Sequence, residues 1–133
     1  MKLILDTNSL FSFFWKGSLI KKLLAAEHEV FAPEFALEEL DKHKSEIMRK
    51  AKLSLSEFNE LFIDIEELVT FIPFSEYADK IPEAFNCLPE HPKDIDFIAL
   101  ALKEDSAIVS NDKELQKQSR IDVFNKSRFS ELF

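Results

Sequence analysis

The sequence predicts an α/β sandwich, one domain over residues 1–133, built around a short, mainly parallel central sheet. Three observations predict it. Brief apolar runs recur between segments of helical periodicity along the whole chain. A length of 133 residues leaves room for one compact domain and little for a second. With only 1 Gly and 5 Pro there is no linker-like or low-complexity stretch, and no internal repeat. The strands are too few and too short for their order to be derived, but right-handed crossovers follow from the alternation.

Taken in order, Lys2 to Leu5 is a short apolar run that reads as a buried strand, followed at once by Asp6. Ser9 to Trp15 and Ser18 to Ala26 read as helical pieces separated by Gly17. Val30 and Phe31 make a second strand closed by Ala32 and Pro33, and proline suits the first turn of the helix expected from there to about Lys52. Ser54 and Glu57 have capping-box spacing and open a helix to about Leu68. Thr70 to Ile72 is a third strand, and Ser75 to Leu88 is helical with an interruption at Pro82. Asp94 to Lys103 is a nearly all-apolar helix feeding the strand Ala107 to Val109. Asn111 and Glu114 repeat the cap spacing for a short helix, Ile121 to Phe124 is a last strand, and Ser127 to Phe133 a last helical turn or two.

Composition narrows the function. A formal net charge of −8 repels nucleic acid in bulk, so any such binding needs a local basic surface or metal ions. The single cysteine, Cys87, rules out an intramolecular disulfide framework. The apolar run at the N-terminus is too short for a signal peptide and no stretch approaches a membrane span. Together these predict a cytoplasmic protein without a membrane partner.

In open α/β sheets, sites form at the carboxyl ends of the strands. Asp6 ends the first strand, and Asp112 lies just past the strand Ala107 to Val109. The helix from Asp94 runs down to feed that strand, so its start belongs to the same edge. The helix after Pro33 starts there too, with Glu39 in its second turn. Four acids far apart in sequence are thus expected on one rim. Asp94 also suits a plain helix cap and Asp112 a plain turn. A charge directly after a buried strand is harder to explain without a partner.

Periodicity separates neighbouring acids. Glu38 has only polar neighbours at helical spacings, among them Glu34, Asp41, Lys42 and Ser45, whereas Glu39 borders the stripe Ala36, Leu40 and Ile47. Glu39 is the inward-facing candidate. Asp96, two residues past Asp94, points to a different side of its helix and ranks behind it. Clustered carboxylates repel, so such a rim makes sense with a cation between them, and all-oxygen ligands suit Mg²⁺ or Mn²⁺. Cys87, His28, His43 and His91 have no zinc spacing. A metal of this kind activates water and neutralises phosphate charge, which is hydrolytic phosphodiester chemistry.

These residues resemble the PIN-domain family. Asp6-Thr7-Asn8 after the first strand is similar to its opening, and Glu39-Leu40 to its helical Glu-Leu element. Asp94 with the apolar run Ile95 to Leu102 resembles its third acid, and Val109-Ser110-Asn111-Asp112 its fourth. The likeness spans nearly the whole chain, with four motifs in order. It implies a PIN-like α/β/α fold and a divalent-metal endoribonuclease acting on RNA. Asp6, Glu39, Asp94 and Asp112 would be its metal ligands, with Asn8 and Ser110 as polar supports. Many small prokaryotic members are VapC-like toxins held by an antitoxin, often as dimers, so an antitoxin partner and a homodimer are also implied. Strong acidity and 14 Phe set this chain apart from that subgroup, and Ser-Asn-Asp-Lys resembles archaeal stand-alone members.

Lys42, Lys44, Arg49, Lys50 and Lys52 against Glu46 make a locally basic segment that starts one turn after Glu39 and is placed to guide an RNA backbone, unless it is only a solvated helix face. Phe11, Phe13, Phe14 and Trp15 are expected in the core, and Cys87 as a passive small hydrophobe. A phosphatase of the haloacid dehalogenase type needs a second Asp where Asn8 stands, and a receiver domain needs paired early acids. A PIN-like module that binds RNA or protein without cleaving is the remaining alternative.

Overall fold

In the computed structural model, which describes residues 1–133, five strands form one sheet: β1 (Lys2–Leu5), β2 (Glu29–Pro33), β3 (Thr70–Ile72), β4 (Ala107–Val109) and β5 (Val123–Phe124). Their order is β3-β2-β1-β4-β5, and every pairing is parallel. The sequence predicts a mainly parallel sheet; this one is wholly so.

Because side chains alternate along a strand, each strand feeds two cores. Leu3 and Leu5 of β1, Val30 of β2, Val109 of β4 and Phe124 of β5 point into one apolar cluster. Ile4, Ile108 and Val123 point into the other. The first face is covered by α1 (Thr7–Ser12), α2 (Leu19–Ala25), α3 (Glu34–Lys42), α4 (Lys44–Ala51) and α5 (Leu55–Leu68). The second is covered by α6 (Phe74–Tyr77), α7 (Ile81–Cys87), α8 (Ile95–Glu104) and α9 (Lys113–Lys117). The result is the expected three-layer α/β/α sandwich. No helix is long and apolar enough to cross a membrane.

Several boundaries differ from expectation, each for a local reason. The helix predicted from Pro33 to Lys52 is two helices, because His43 leaves helical geometry at φ −97°, ψ 15° between α3 and α4. Pro82 does not interrupt a helix but sits in the first turn of α7, where its missing N–H has no intrahelical partner to lose. The segment before it is α6 and a 3₁₀ turn, Ala78–Lys80. Asp94 closes another 3₁₀ turn, Pro92–Asp94, and the long apolar helix begins at Ile95. The last strand covers only Val123–Phe124 of the four residues expected.

The Ser54–Glu57 box forms as its spacing predicts. Glu57 N–H donates to Ser54 Oγ at 3.1 Å, and Ser54 N–H donates to Glu57 Oε1 at 2.9 Å. Ser54→Ala is therefore expected to destabilise the protein by about 1 kcal/mol in urea melts, with an unchanged slope.

Candidate active site

Three of the five strands deliver their carboxyl ends to one cleft of about 680 Å³. β1 is followed directly by Asp6, β2 runs through Pro33 into α3 with Glu39, and β4 leads through Ser110 to Asp112. Asp94, at the start of α8, closes the fourth side, and Phe35 and Phe97 form apolar wall. The cleft thus brings together the four acids read from the sequence, with Asp96, Asn8 and one cation, Lys93.

Asp6 is the most enclosed, at 6% exposure, and Ser110 beside it is at 1%. One Asp6 oxygen accepts the N–H of Ser9 at 2.8 Å and caps α1; the other accepts the Ser110 hydroxyl. Ser110 Oγ in turn accepts the N–H of Asp112 at 2.9 Å. Ser9 Oγ donates to the carbonyl of Val109 at 2.9 Å, so β1 and β4 are tied at the rim as well as along the ladder. Burial raises the Asp6 pKa, hydrogen bonds from Ser110 and Ser9 pull it back, and Asp112 pushes it up again.

The two alternative readings for Asp94 and Asp112 now separate. Asp112, read as a turn residue beside a cap at Asn111, is itself the helix cap, its carboxylate accepting the N–H of Glu114 at 2.8 Å, while Asn111 Oδ1 accepts the N–H of Lys126 instead. Asp94 occupies the cap position of α8 but makes no side-chain cap bond. Its carboxyl instead faces other acids. Desolvation first, then Asp112 and Asp6, raise its pKa to about 6, against a smaller pull from His91. A carboxyl that gives up the helix cap to face two other carboxylates is chemically expensive unless a cation shares the space.

Glu39 is half-buried and lines the cleft, while Glu38 is exposed and does not. Glu39 Oε2 lies 3.3 Å from His43 Nε2 across one turn of α3. Asp96 also lines the cleft, and the buried hydroxyl of Tyr77 donates to it at 2.6 Å. Burial first, then that bond and the Asp96 charge, raise the Tyr77 pKa, and the bond holds Asp96 toward the α6 side. Of the basic segment, only Lys50 lines a cavity next to the cleft, and it pairs with Glu46 at 2.7 Å. Lys44 sits over the Phe58 ring at 5.6 Å; Lys42, Arg49 and Lys52 are exposed and line neither cavity.

Sequence reasoning missed Tyr77, Ser9 and Lys93. Tyr77 is the chain's only tyrosine, and Ser9 has capping distance from Asp6, so both carried a signal. Lys93 carried none. Phe13 and Phe14 are core as expected, with Phe11 and Trp15 only half-buried against it.

The donors around the cleft are all oxygens, the set that suits a hard divalent cation. As the side chains stand, no three of the acids converge closely enough to grip an ion, so ligation requires rotamer changes at the half-exposed Glu39, Asp94 and Asp112. The carboxylate chemistry and the raised Asp94 fit such an ion.

Comparison with known proteins agrees with this architecture. The family model described as PIN domain matches residues 4–123. Among solved structures, VapBC2 from Rickettsia felis, bound to a DNA fragment from their promoter, aligns with a TM-score of 0.68 at 20% identity over 94% of this chain and 98% of that one. FitAcB from Neisseria gonorrhoeae aligns with a TM-score of 0.63 at 17% identity over 92% and 96%. At such identities these two likenesses establish the fold alone. No curated protein sequence matches the chain.

Proposed function

The chain belongs to the PIN-domain family, a family of nucleases, and from that membership we propose that it is a divalent-metal-dependent endoribonuclease. The observation that carries the proposal is Asp94: a carboxyl without a cap bond, its pKa raised to about 6, facing Asp112 and Asp6 in a shared cleft.

In this reading Asp6, Glu39, Asp94 and Asp112 hold Mg²⁺ or Mn²⁺. The ion supplies a water of lowered pKa and neutralises charge on the phosphate being cleaved. The chain's own groups do the rest. Ser110 and Ser9 fix both oxygens of Asp6, so that carboxylate is preset. The Ser110 hydroxyl links Asp6 to the Asp112 backbone, coupling the ends of β1 and β4. Asn8 is exposed and lines the cleft, which supports a role as donor to a phosphate oxygen. Asp96, held by Tyr77, is a supporting acid at the edge of the cleft. Phe35 and Phe97 exclude water from one wall, which strengthens electrostatic interactions inside. Lys42, Lys44, Arg49, Lys50 and Lys52 remain proposed RNA guides, with Lys50 the best placed of them.

The likeness to VapBC2 and FitAcB supports extending the proposal to a toxin held by an antitoxin protein; a homodimer is proposed from the family resemblance of the sequence alone. A second reading, a PIN module that binds RNA or protein without cleaving, is favoured by one observation: the acids do not yet converge.

The test is cleavage of single-stranded RNA in Mn²⁺ and in EDTA, with Glu38 and Glu39 each changed to Gln. Cleavage should require metal and should fail in Glu39→Gln but survive in Glu38→Gln, since only Glu39 lines the cleft. Cleavage in EDTA would remove the metal mechanism. Equal losses in the two variants would remove the assignment of Glu39. RNA binding without cleavage would establish the silent module.

A further inference from the structure

Beside the acidic cleft lies a second cavity of about 660 Å³, and Asn8 and Asp112 line both, so the two adjoin at the mouth of the cleft. Their charges are opposite. The cleft carries five carboxylates, Asp6, Glu39, Asp94, Asp96 and Asp112, against Lys93 alone. The second cavity carries three lysines, Lys16, Lys50 and Lys126, against Asp112 alone. Lys16 and Lys126 are exposed and enter no ion pair, although the chain has a net charge of −8.

The cavity is also aromatic. Trp15 and Phe11 line it, each half-buried with one part packed against the core. Gly17, at φ +72° with nothing within 4 Å of an added Cβ, turns the chain behind Lys16 and leaves that wall open. On the opposite side, Asn111 Oδ1 accepts the backbone N–H of Lys126 at 2.6 Å, which holds the loop after β4 against the C-terminal segment.

We propose that this cavity is a subsite for the single-stranded RNA flanking the scissile phosphate, with Lys16, Lys50 and Lys126 meeting backbone phosphates and Trp15 with Phe11 receiving a base. The inference rests on the ribonuclease reading of the neighbouring cleft. Lysines that track a backbone, beside aromatic rings that stack on bases, are what sequence-tolerant single-strand binding uses. The acidic cleft, with Lys93 its one cation, repels a polyanion, so a strand reaching it needs further compensating cations close by, and these three line the adjoining cavity.

Trp15 is the only tryptophan, so its emission reports on this cavity without a label. The experiment titrates an oligouridylate of about eight nucleotides into the native protein in EDTA, reading Trp15 emission and, in parallel, anisotropy of a labelled copy. Saturable quenching of Trp15 is expected. Lys16→Gln with Lys126→Gln should weaken it and reduce the log–log salt slope by about 1.4, from about 0.7 per lost phosphate contact. Lys22→Gln with Lys103→Gln removes the same charge away from both cavities and should leave slope and quenching unchanged. Binding without a change in Trp15 emission, absence of binding, or equal weakening by the two double variants would overturn the proposal. So would quenching by an oligoglutamate peptide but not by the oligonucleotide, which would give the cavity to an acidic protein segment. Cleavage in Mn²⁺ is measured separately: quenching without cleavage refutes the nuclease reading and leaves the cavity a single-strand binding site without a scissile phosphate beside it, and cleavage without quenching refutes the subsite alone.

Discussion

Asp94→Asn is expected to lower metal-dependent RNA cleavage by roughly 10²–10⁴-fold, since a metal site contributes several kcal/mol to the transition state and each 1.4 kcal/mol is tenfold. The substitution is nearly isosteric, and Asp94 makes no side-chain cap bond, so little structure is lost with the charge. Asp6→Asn should lose as much activity, but it also places an amide against the Ser110 hydroxyl, which already accepts from the Asp112 N–H. Circular dichroism and melts of both variants separate the two effects. Single-turnover cleavage in saturating Mn²⁺ is the measurement, and full activity in Asp94→Asn would contradict the assignment.

The second large effect is on stability without metal. Asp94 has its folded pKa raised to about 6, and that of Asp6 is raised too. A carboxyl with a raised folded pKa binds more protons folded than unfolded. It therefore costs nothing below its unfolded value near 4, costs progressively more as pH rises toward its folded value, and costs its full amount above that. For Asp94 the window is about pH 4 to 6. Asp94→Asn should thus melt higher than the parent at about pH 7.5 in EDTA, and about equally at pH 4. Metal should reverse the order. At free Mn²⁺ ten times the dissociation constant the parent gains RT ln 11, about 1.4 kcal/mol, or roughly 3–8 °C in Tm for a domain of this size. Asp112→Asn is expected to gain less in EDTA, because its carboxylate caps α9 through Glu114. A parent indifferent to Mn²⁺, with Asp94→Asn melting lower in EDTA, would make these acids structural.

Much of this was legible in the chain because local signals and sheet topology agree. An acid directly after the apolar run Lys2 to Leu5, and another just past Ala107 to Val109, fall at carboxyl ends of neighbouring parallel strands. The apolar neighbours of Glu39 distinguished it from Glu38, and the two do differ in burial as that pattern predicts. What the chain did not disclose depends on tertiary contacts. Which residue caps each helix turns on side-chain rotation: the sequence offers Asp94 as a cap and Asp112 as a turn residue beside a cap at Asn111, whereas Asp94 makes no cap bond and Asp112 is the cap. The break at His43 has no Gly or Pro to mark it, and its neighbours Glu39 and Glu46 both reach its ring only once the two helices are placed. The basic cavity draws on four separate segments of chain, through Lys16, Lys50, Asn111 and Lys126, so a search for runs of positive charge finds Lys42 to Lys52 instead.

The central claim, that Asp6, Glu39, Asp94 and Asp112 together hold a divalent cation, is tested most directly by an anomalous difference map from a Mn²⁺-soaked crystal. The account predicts a peak between these four side chains, with carboxylate oxygens of at least three of them rotated to about 2.0–2.3 Å from it. Soaked cleft electron density without an anomalous peak, or a peak at other residues only, would contradict it.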